Sequence, residues 1–376
     1  MNPSFRIGRV FGISIGVNWS WAILFALITW TLAASVFPAQ NPGLSHIEYA
    51  AMALVAALLF FSSLLLHELG HAYQARREGV EIEGITLWLF GGVARFKGEF
   101  PSAGAELRIA IAGPLVTLVL GSAFVALAVL ARLPETVDGV AAWLGYINLF
   151  LLAFNLLPAL PLDGGRVLRA ALWGAKRDFA WATVVAADIS RGLAYLMIGG
   201  GLLLFIVQGA FSGAWLAFLG WFLLGAAGME ARHLAVRQAL AGLKVGQLMI
   251  PDPVTADPDQ TLGEFMDGIA AAARYTAYPV VRDGEVMGVL PLRRVLETPR
   301  GEWDERRVRE CMLHRDEVPL LRQDEDALEG FEELAEGELH RGLVLEDGHL
   351  AGFVSITDIT RLLAEALPPR PGASAR

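Results

Sequence analysis

Six separate apolar segments, each about as long as a membrane is thick, dominate the sequence. A bilayer core about 30 Å thick is crossed by roughly 20 apolar residues in a helix. Only 18% of the 376 residues are charged, whereas soluble domains carry about 25%. A large buried core in a soluble protein is the alternative, but six separate runs favour a membrane protein. The predicted spans cover about residues 15–37, 49–73, 109–131, 141–160, 189–208 and 213–230.

Charge divides the chain into two parts and predicts its orientation. Residues 1–242 carry a net charge of +2 and residues 243–376 a net charge of −11, which indicates a membrane domain joined to an acidic soluble domain. The acidic sign argues against nucleic-acid binding. Lys and Arg flank the first, second, fourth and sixth spans on one side, while the loop from Pro38 to Glu48 has none. We therefore expect a plasma-membrane protein whose N-terminus and C-terminal domain are cytoplasmic.

The second span contains His67-Glu68-Leu69-Gly70-His71. Histidines four residues apart lie on one face of a helix and can bind one metal ion. Glu68 between them is placed to take a proton from a metal-bound water. The alternative, two core histidines beside a helical glutamate, is disfavoured because an uncompensated buried carboxylate costs several kcal/mol. Cys311 is the only cysteine, which excludes a site built from several cysteines.

A hydrolytic zinc site needs a third protein ligand and an open position for water. If the second span enters from the outer side, His67 lies about 28 Å along the helix, and Asp163 follows the fourth span at a similar depth. Asp163 comes after Pro158 and Pro161, which break the helix; depth therefore predicts it as the third ligand. A turn residue in a Pro-x-Asp-Gly loop is the alternative. Asn155 is placed to bind substrate or an oxyanion, or to make a helix–helix hydrogen bond.

Together, the 67–71 motif and the later Asn155-Leu-Leu-Pro158 and Asp163-Gly164 resemble the site-2 protease family of intramembrane zinc metalloproteases. The resemblance covers about residues 5–230. It implies one zinc ion per chain on His67, His71 and Asp163, with Glu68 as general base and Asn155 helping to hold the substrate or the oxyanion. It also implies single-pass membrane proteins in the bilayer as substrates.

Two positions depart from the pattern that we expect for this family. Thr117 stands where asparagine is most often expected, and Asn18 stands where histidine is frequent. Neither position belongs to the expected metal ligands. Apolar residues 85–90 and 93–96 flank Gly91-Gly92, which predicts a β-hairpin with its turn at the glycines. An edge strand there is placed to pair with an extended substrate; a simple amphipathic hairpin at the interface is the alternative.

The soluble part contains a duplication, because residues 280–294 recur at 344–358. Each copy predicts a strand, an Asp-Gly turn, a second strand and a helix. The pair is similar to tandem CBS domains, which implies that Ser355 and Asp358 contact an adenine nucleotide such as ATP or AMP. The first copy has Pro291 and Arg294 at those places, so one intact site is expected. A structural pair, or one that forms a homodimer, is the alternative.

The expected fold class is an α-helical polytopic membrane protein with six spans and a short membrane-associated β-hairpin, followed by a cytoplasmic α+β tandem CBS domain. The predicted boundaries are 1–235 for the membrane domain, 236–366 for the CBS pair (about 243–300 and 305–366), and 367–376 for a disordered tail.

The expected function is intramembrane cleavage of single-pass proteins near the cytoplasmic side, tuned by a nucleotide. One alternative is a membrane-anchored zincin acting on soluble or misfolded proteins, which requires a third ligand from a soluble helix. The other is a CBS-regulated transporter, which requires polar residues along several spans. Outside the second and fourth spans, only Asp188 and Arg191 stand out.

Overall fold

Six apolar helices form the membrane-capable part of the chain. The computed structural model describes residues 5–10, 12–88, 91–97, 100–271 and 275–366. Within these residues, six helices are long and apolar enough to cross a membrane: Ser20–Gln40, His46–Arg77, Ala103–Leu130, Glu135–Asn155, Phe179–Gln208 and Phe211–Leu240. The chain divides into two compact units, with the boundary between Arg232 and His233.

The helices are labelled in chain order. The first apolar segment consists of α1 (Ser20–Thr31), a π-helical turn and α2 (Phe37–Gln40). A shorter helix, α6 (Asp163–Lys176), carries the Asp-Gly-Gly sequence and packs against α4 (Ala103–Leu130) and α7 (Phe179–Gln208). The remaining helices of this part are α3 (His46–Arg77), α4 (Ala103–Leu130), α5 (Glu135–Asn155), α6 (Asp163–Lys176), α7 (Phe179–Gln208) and α8 (Phe211–Leu240).

The number of predicted spans is confirmed, but several of their boundaries were wrong. The fifth helix begins at Phe179 rather than at about residue 189. The first helix begins at Ser20 rather than at about residue 15, since Ile13–Val17 forms a strand and Asn18 accepts a hydrogen bond from the Ser20 N–H. The fourth ends at Asn155 rather than at residue 160, because the prolines that follow cannot continue a helix. The sixth extends to Leu240.

The N-terminal strands and the predicted hairpin form one four-stranded sheet. Its strands are β1 (Phe5–Val10), β2 (Ile13–Val17), β3 (Glu81–Trp88) and β4 (Gly91–Lys97), in the spatial order β1-β2-β3-β4. β2 and β3 are parallel, and the other two pairs are antiparallel. The sheet is therefore larger than the short hairpin that was predicted, and β4 lies at its edge.

The position of the predicted hairpin turn was wrong. Trp88 pairs with Gly91, and Leu87 pairs with Gly92, so Gly91-Gly92 begin strand β4 rather than form the turn. Leu89 and Phe90, which separate the two strands, lie outside the described residues. A glycine within a strand often marks a place where another part of the chain approaches the backbone closely. At Gly92 that part is the side chain of Glu68.

The second unit contains the two predicted half-domains. Each has a hairpin whose turn residues, Asp283-Gly284 and Asp347-Gly348, have positive φ angles, as a type I′ turn requires. One sheet has the order β5-β11-β10-β9 and the other β6-β7-β8. The strands are β5 (Ile250–Pro251), β6 (Ala277–Arg282), β7 (Glu285–Pro291), β8 (Leu313–His314), β9 (Leu320–Arg322), β10 (Arg341–Glu346) and β11 (His349–Ser355).

Short helices complete both half-domains, as the repeat predicts. An apolar core that includes Leu321, Val344 and Val354 lies beneath the second copy. The predicted tail, 367–376, lies outside the described residues. The helices are α9 (Leu262–Phe265), α10 (Leu292–Glu297), α11 (Val308–Cys311), α12 (Ala327–Glu336) and α13 (Ile356–Ala366).

Candidate metal centre

Helix α3 presents both histidines of the motif on one face. The helix begins with a capping box, in which Ser45 accepts from the Glu48 N–H and the Glu48 carboxylate accepts from the Ser45 N–H. These bonds satisfy two N–H groups that lack helical partners. The helix then continues for 32 residues without a break. His67 and His71, one turn apart near its far end, are both buried.

Helix α6 brings Asp163 to these histidines. Asp163 is the first residue of the helix, where the helix dipole favours a negative charge. The two glycines after it are required by packing. A Cβ at Gly164 would lie 2.3 Å from the Leu156 carbonyl oxygen, and one at Gly165 would lie 2.3 Å from the Leu160 nitrogen. A larger residue at either position would force the start of α6 to move.

The three side chains converge on one point. His67 Nε2 lies 3.2 Å from Asp163 Oδ2, and His71 Nε2 lies 3.2 Å from Asp163 Oδ1. The two Nε2 atoms are 3.1 Å apart. Within the described ranges, this is the one group of three or more His, Cys, Asp or Glu residues with converging ligand atoms.

The second nitrogen of each ring determines what faces the centre. His71 Nδ1 lies 2.7 Å from the Ile109 carbonyl oxygen, which can only accept, so this nitrogen carries the proton. The Thr117 hydroxyl donates to the Gly113 carbonyl, 3.3 Å away, and therefore accepts from His67 Nδ1 at 2.8 Å. Each neutral ring then directs the lone pair of Nε2 inward. Two lone pairs and one carboxylate face one another.

Such a set of acceptors fits a divalent cation. Three converging acceptors repel one another unless a positive charge lies between them. Two imidazoles and one carboxylate are a ligand set of catalytic zinc sites. Ligand atoms about 2.0–2.2 Å from a tetrahedral zinc ion are separated by about 3.3 Å, close to the 3.1–3.2 Å found here. The residues present therefore fit zinc.

Two glycines allow neighbouring elements to approach this centre. A Cβ at Gly113 in α4 would lie 2.2 Å from His71 Nε2, and one at Gly92 in β4 would lie 2.5 Å from Glu68 Cγ. The Glu68 carboxylate also interacts with the backbone of Ala94 in β4. The predicted general base is therefore held against the edge strand.

The structure does not bring Asn155 into contact with these groups. Asn155 is the last residue of α5 and is half-buried. Its side chain makes no hydrogen bond within the described part of the chain, and its role stays a prediction. Thr117, in contrast, was not expected at the site. The departure from the family pattern at that position was the only sequence signal for it.

A buried ion cluster fixes helix α6. Arg169 lies 2.6 Å from Glu106 of α4 and 3.6 Å from Glu230 of α8. Its guanidinium also lies 5.1 Å from the ring centroid of Phe179, at the start of α7. Arg169 and Glu106 are almost fully buried. The helix that begins with Asp163 is therefore tied to three other helices.

The second unit contains a separate pocket beside the predicted nucleotide residues. Its volume is about 300 Å³, and Ser355, Asp358, Arg341, Arg361 and Tyr275 are among the residues that line it. Ser355 Oγ donates to Asp358 Oδ2 at 2.5 Å and accepts from the Asp358 N–H at 3.1 Å. These bonds orient both side chains at the pocket.

Arg341 brings a partly buried positive charge to this pocket. Burial lowers the pKa of its guanidinium, and the nearby Asp358 carboxylate opposes this effect. Within the described residues, Arg341 forms no ion pair. In the first copy, Arg294 stands where Asp358 stands in the second, and its side chain donates to the Met312 carbonyl oxygen at 3.1 Å. The two copies therefore differ at the corresponding place.

Comparison with family models assigns both parts of the chain. Residues 55–138 and 130–199 match the model of peptidase family M50, and residues 245–301 and 308–365 match the model of the CBS domain. The candidate metal ligands lie within the first pair of matches. Ser355 and Asp358 lie within the last match.

Known proteins are similar either to nearly the whole chain or to its larger part. The candidate zinc metalloprotease Rip3 of Mycobacterium tuberculosis is 38% identical over 96% of this chain and 93% of its own. The zinc metalloprotease MJ0392 of Methanocaldococcus jannaschii is 33% identical over 97% of both chains. A solved site-2 protease from the same organism is 33% identical and covers 61% of this chain and 95% of its own, with a TM-score of 0.44.

Proposed function

Since this chain belongs to peptidase family M50, the family of the site-2 proteases, and carries tandem CBS domains, we propose that it is an intramembrane zinc endopeptidase. Its substrates are single-pass membrane proteins, cut near the cytoplasmic side of the bilayer. The observation that carries this proposal is the convergence of His67, His71 and Asp163 beside Glu68, on helices α3 and α6.

The residues of the site divide three tasks in this proposal: metal binding, proton transfer and orientation of the histidines. His67, His71 and Asp163 would hold one zinc ion, which would act as a Lewis acid and make a water molecule at the site more acidic. Glu68 takes the proton from the attacking water and passes it to the leaving nitrogen. Thr117 and the Ile109 carbonyl keep the two histidines in the tautomer that directs Nε2 inward.

Strand β4 provides a place for the substrate backbone. A scissile bond in a helix is shielded, so the substrate has to be extended before hydrolysis. β4 is an edge strand, and its backbone at Gly92 and Ala94 lies against Glu68. Addition of a substrate strand to this edge would place its backbone beside the general base. A hairpin that only lies at the membrane interface does not require this contact with Glu68.

The geometry favours an intramembrane site over the alternatives. A zincin with a cytoplasmic site would take its third ligand from a soluble helix, but His314, His340 and His349 belong to no convergent ligand group among the described residues. A transporter would need a polar path through several helices. Asp188 and Arg191 instead pair with each other at 2.5 Å.

Cleavage of a model substrate tests the proposed function. The purified chain, in detergent, is mixed with a tagged protein that has one membrane span, and the products are identified by mass spectrometry. We expect a cut within or at the cytoplasmic end of the span, loss of cleavage with a chelator, and recovery when zinc is returned. Cuts confined to soluble regions of the substrate would favour the membrane-anchored zincin instead.

We further propose that the second CBS copy binds one adenine nucleotide, such as ATP or AMP. Ser355 and Asp358 would contact the ribose, and the unpaired charge of Arg341 would face a phosphate. Titration calorimetry should give about one ATP or AMP per chain. Asp358→Ala should abolish binding, whereas Arg294→Ala in the first copy should leave it unchanged. Equal loss in both variants, or two nucleotides per chain, would contradict this assignment.

The proposal also includes the location and assembly expected from the sequence. The protein lies in the plasma membrane, with its N-terminus and CBS domains in the cytoplasm. The flanking positive charges support this orientation. A homodimer formed through the CBS domains is part of the same proposal, and the molar mass of the detergent-solubilised protein from light scattering would test it.

A further inference from the structure

Arg166 is a charged residue beside the candidate active site. Neither zinc binding nor general-base catalysis explains its presence there. It lies one turn after Asp163 in α6, and its guanidinium carbon is 5.9 Å from the ring centroid of Phe96 in β4. Its Nε atom is buried without a hydrogen-bond partner. Within the described part of the chain, the guanidinium forms no hydrogen bond or ion pair.

The nearby carboxylates do not neutralise Arg166 by direct contact. The carboxylates of Glu68 and Glu106 are close enough to interact electrostatically with the Arg166 guanidinium. Glu106, however, is bound to Arg169 at 2.6 Å, and the Glu68 carboxylate interacts with the backbone of Ala94. The Nε–H of this half-buried side chain is buried without an acceptor, which costs free energy until an acceptor reaches it. A ligand oxygen can supply that acceptor.

Arg166 and Glu68 stand over the same face of strand β4. Alternate residues of a strand share a face, so Gly92, Ala94 and Phe96 form one row. A Cβ at Gly92 points at Glu68, and the Phe96 ring lies beneath Arg166. A strand rises about 3.3 Å per residue. A substrate lying along β4 would therefore meet Arg166 two to four residues away from Glu68.

We propose that Arg166 is a substrate-binding residue, whose guanidinium donates to an oxygen of the substrate two to four residues from the scissile bond. The inference rests on the proposed function and names a contact that the metal centre does not require. Two substrate groups offer the oxygen: the side chain of Asp or Glu, and a backbone carbonyl. Both suit a guanidinium, which binds such oxygens through one or two N–H groups.

Kinetics of charge-deleting variants test this role. Arg166→Met should raise KM about tenfold or more, the range expected for a hydrogen bond to a charged group, while kcat changes much less. Arg166→Lys should recover part of the loss. Lys176→Met, which removes an exposed positive charge from the same helix, is the control and should behave as wild type. Zinc content and melting temperature should be unchanged in all three.

A substrate panel distinguishes the two sources of the oxygen. Substrates carry Ala, Asp or Lys at each of the positions two to four residues from the cut. If the oxygen belongs to a side chain, the wild type prefers Asp over Lys at one position and Arg166→Glu reverses the preference. If it belongs to the backbone, Arg166→Met raises KM equally for all substrates. Either pattern supports the inference.

Two results would overturn the inference without touching the proposed function. One is an unchanged KM in Arg166→Met; the other is a loss of activity that comes with a loss of zinc or a lower melting temperature, which would show a structural role. Binding is measured separately from catalysis. The dissociation constant of a fluorescent substrate is compared between Glu68→Gln and Glu68→Gln/Arg166→Met. Absence of cleavage by the wild type would instead contradict the proposed function.

Discussion

At the scale of single residues, groups outside the His67–His71 motif determine how its histidines face the candidate metal centre. The Thr117 hydroxyl accepts from His67, and the Ile109 carbonyl accepts from His71. These partners fix the proton on Nδ1 of each ring. They also leave three acceptors facing one another, an arrangement that fits a cation.

Removal of the Thr117 hydroxyl tests this arrangement. Thr117→Val keeps the shape of the side chain but leaves His67 Nδ1 without an acceptor in a buried place. We expect zinc affinity to fall about 10–100-fold, as it does when such partners of zinc ligands are removed. Thr117→Ser, which keeps the hydroxyl, is the control. Competition with a chelator measures both, and equal affinities in the two variants would contradict the role of Thr117.

The motif residues could be predicted from the sequence, but their partners could not. His67 and His71 follow from helical spacing, and Asp163 from membrane depth. Thr117 and Arg166 lie on other helices, and sequence spacing does not reveal which helix faces which. Gly113, likewise, looks like an ordinary small residue of a span in the sequence, although a Cβ at this position would lie 2.2 Å from His71 Nε2.

At the scale of elements, helix α6 carries Asp163, one of the proposed metal ligands, and is held by buried charges. Arg169→Met would leave the buried Glu106 carboxylate without its partner. Breaking such a pair costs about 3–5 kcal/mol, so the thermal midpoint of unfolding in detergent should fall clearly. Glu106→Gln/Arg169→Met removes both charges and should recover much of the loss. A double variant no more stable than the single one would contradict this account of α6.

A second ion pair links the end of α3 to α4 and predicts a dependence on pH. Glu78 accepts two hydrogen bonds from Arg108, each 2.7 Å long. This contact lowers the pKa of Glu78 to about 2 from its ordinary value of 4.5. Because the pKa is lower in the folded state, the stabilisation is complete above pH 4.5 and is lost as the pH falls towards 2.

Glu78→Gln should therefore remove part of the acid sensitivity of the protein. We expect its melting temperature to fall less than that of the wild type between pH 5 and pH 3. At pH 7 the variant should be the less stable of the two. Parallel pH curves for wild type and variant would contradict the link between Glu78 and Arg108.

The sequence predicted which elements exist better than where they end. The six spans and the two hairpins of the CBS pair follow from apolar length and from the Asp-Gly turns. The strand at Ile13–Val17 was assigned to a span because its residues are equally apolar. The pairing of β2 with β3 joins residues about 70 positions apart, and local patterns do not contain that information.

At the scale of the whole molecule, the chain joins a polytopic membrane unit to a tandem pair of CBS domains. Labelling of single cysteines tests the proposed orientation. In a Cys311→Ser background, Gln40→Cys lies at the end of the first apolar helix, on the side expected to face outward, and Glu297→Cys lies in the CBS pair. A membrane-impermeant thiol reagent should label Gln40→Cys in intact cells and Glu297→Cys only after lysis. The reverse pattern would contradict the orientation.

The proposed function has this chain hydrolyse peptide bonds with a zinc ion held by His67, His71 and Asp163 and with Glu68 as the base. The most direct test measures zinc content and cleavage of a single-span substrate for the wild type and Glu68→Gln, purified in parallel. We expect one zinc ion per chain in both proteins, and a kcat at least about 100-fold lower in the variant. A wild type without zinc, or a variant that cleaves as fast as the wild type, would contradict the claim.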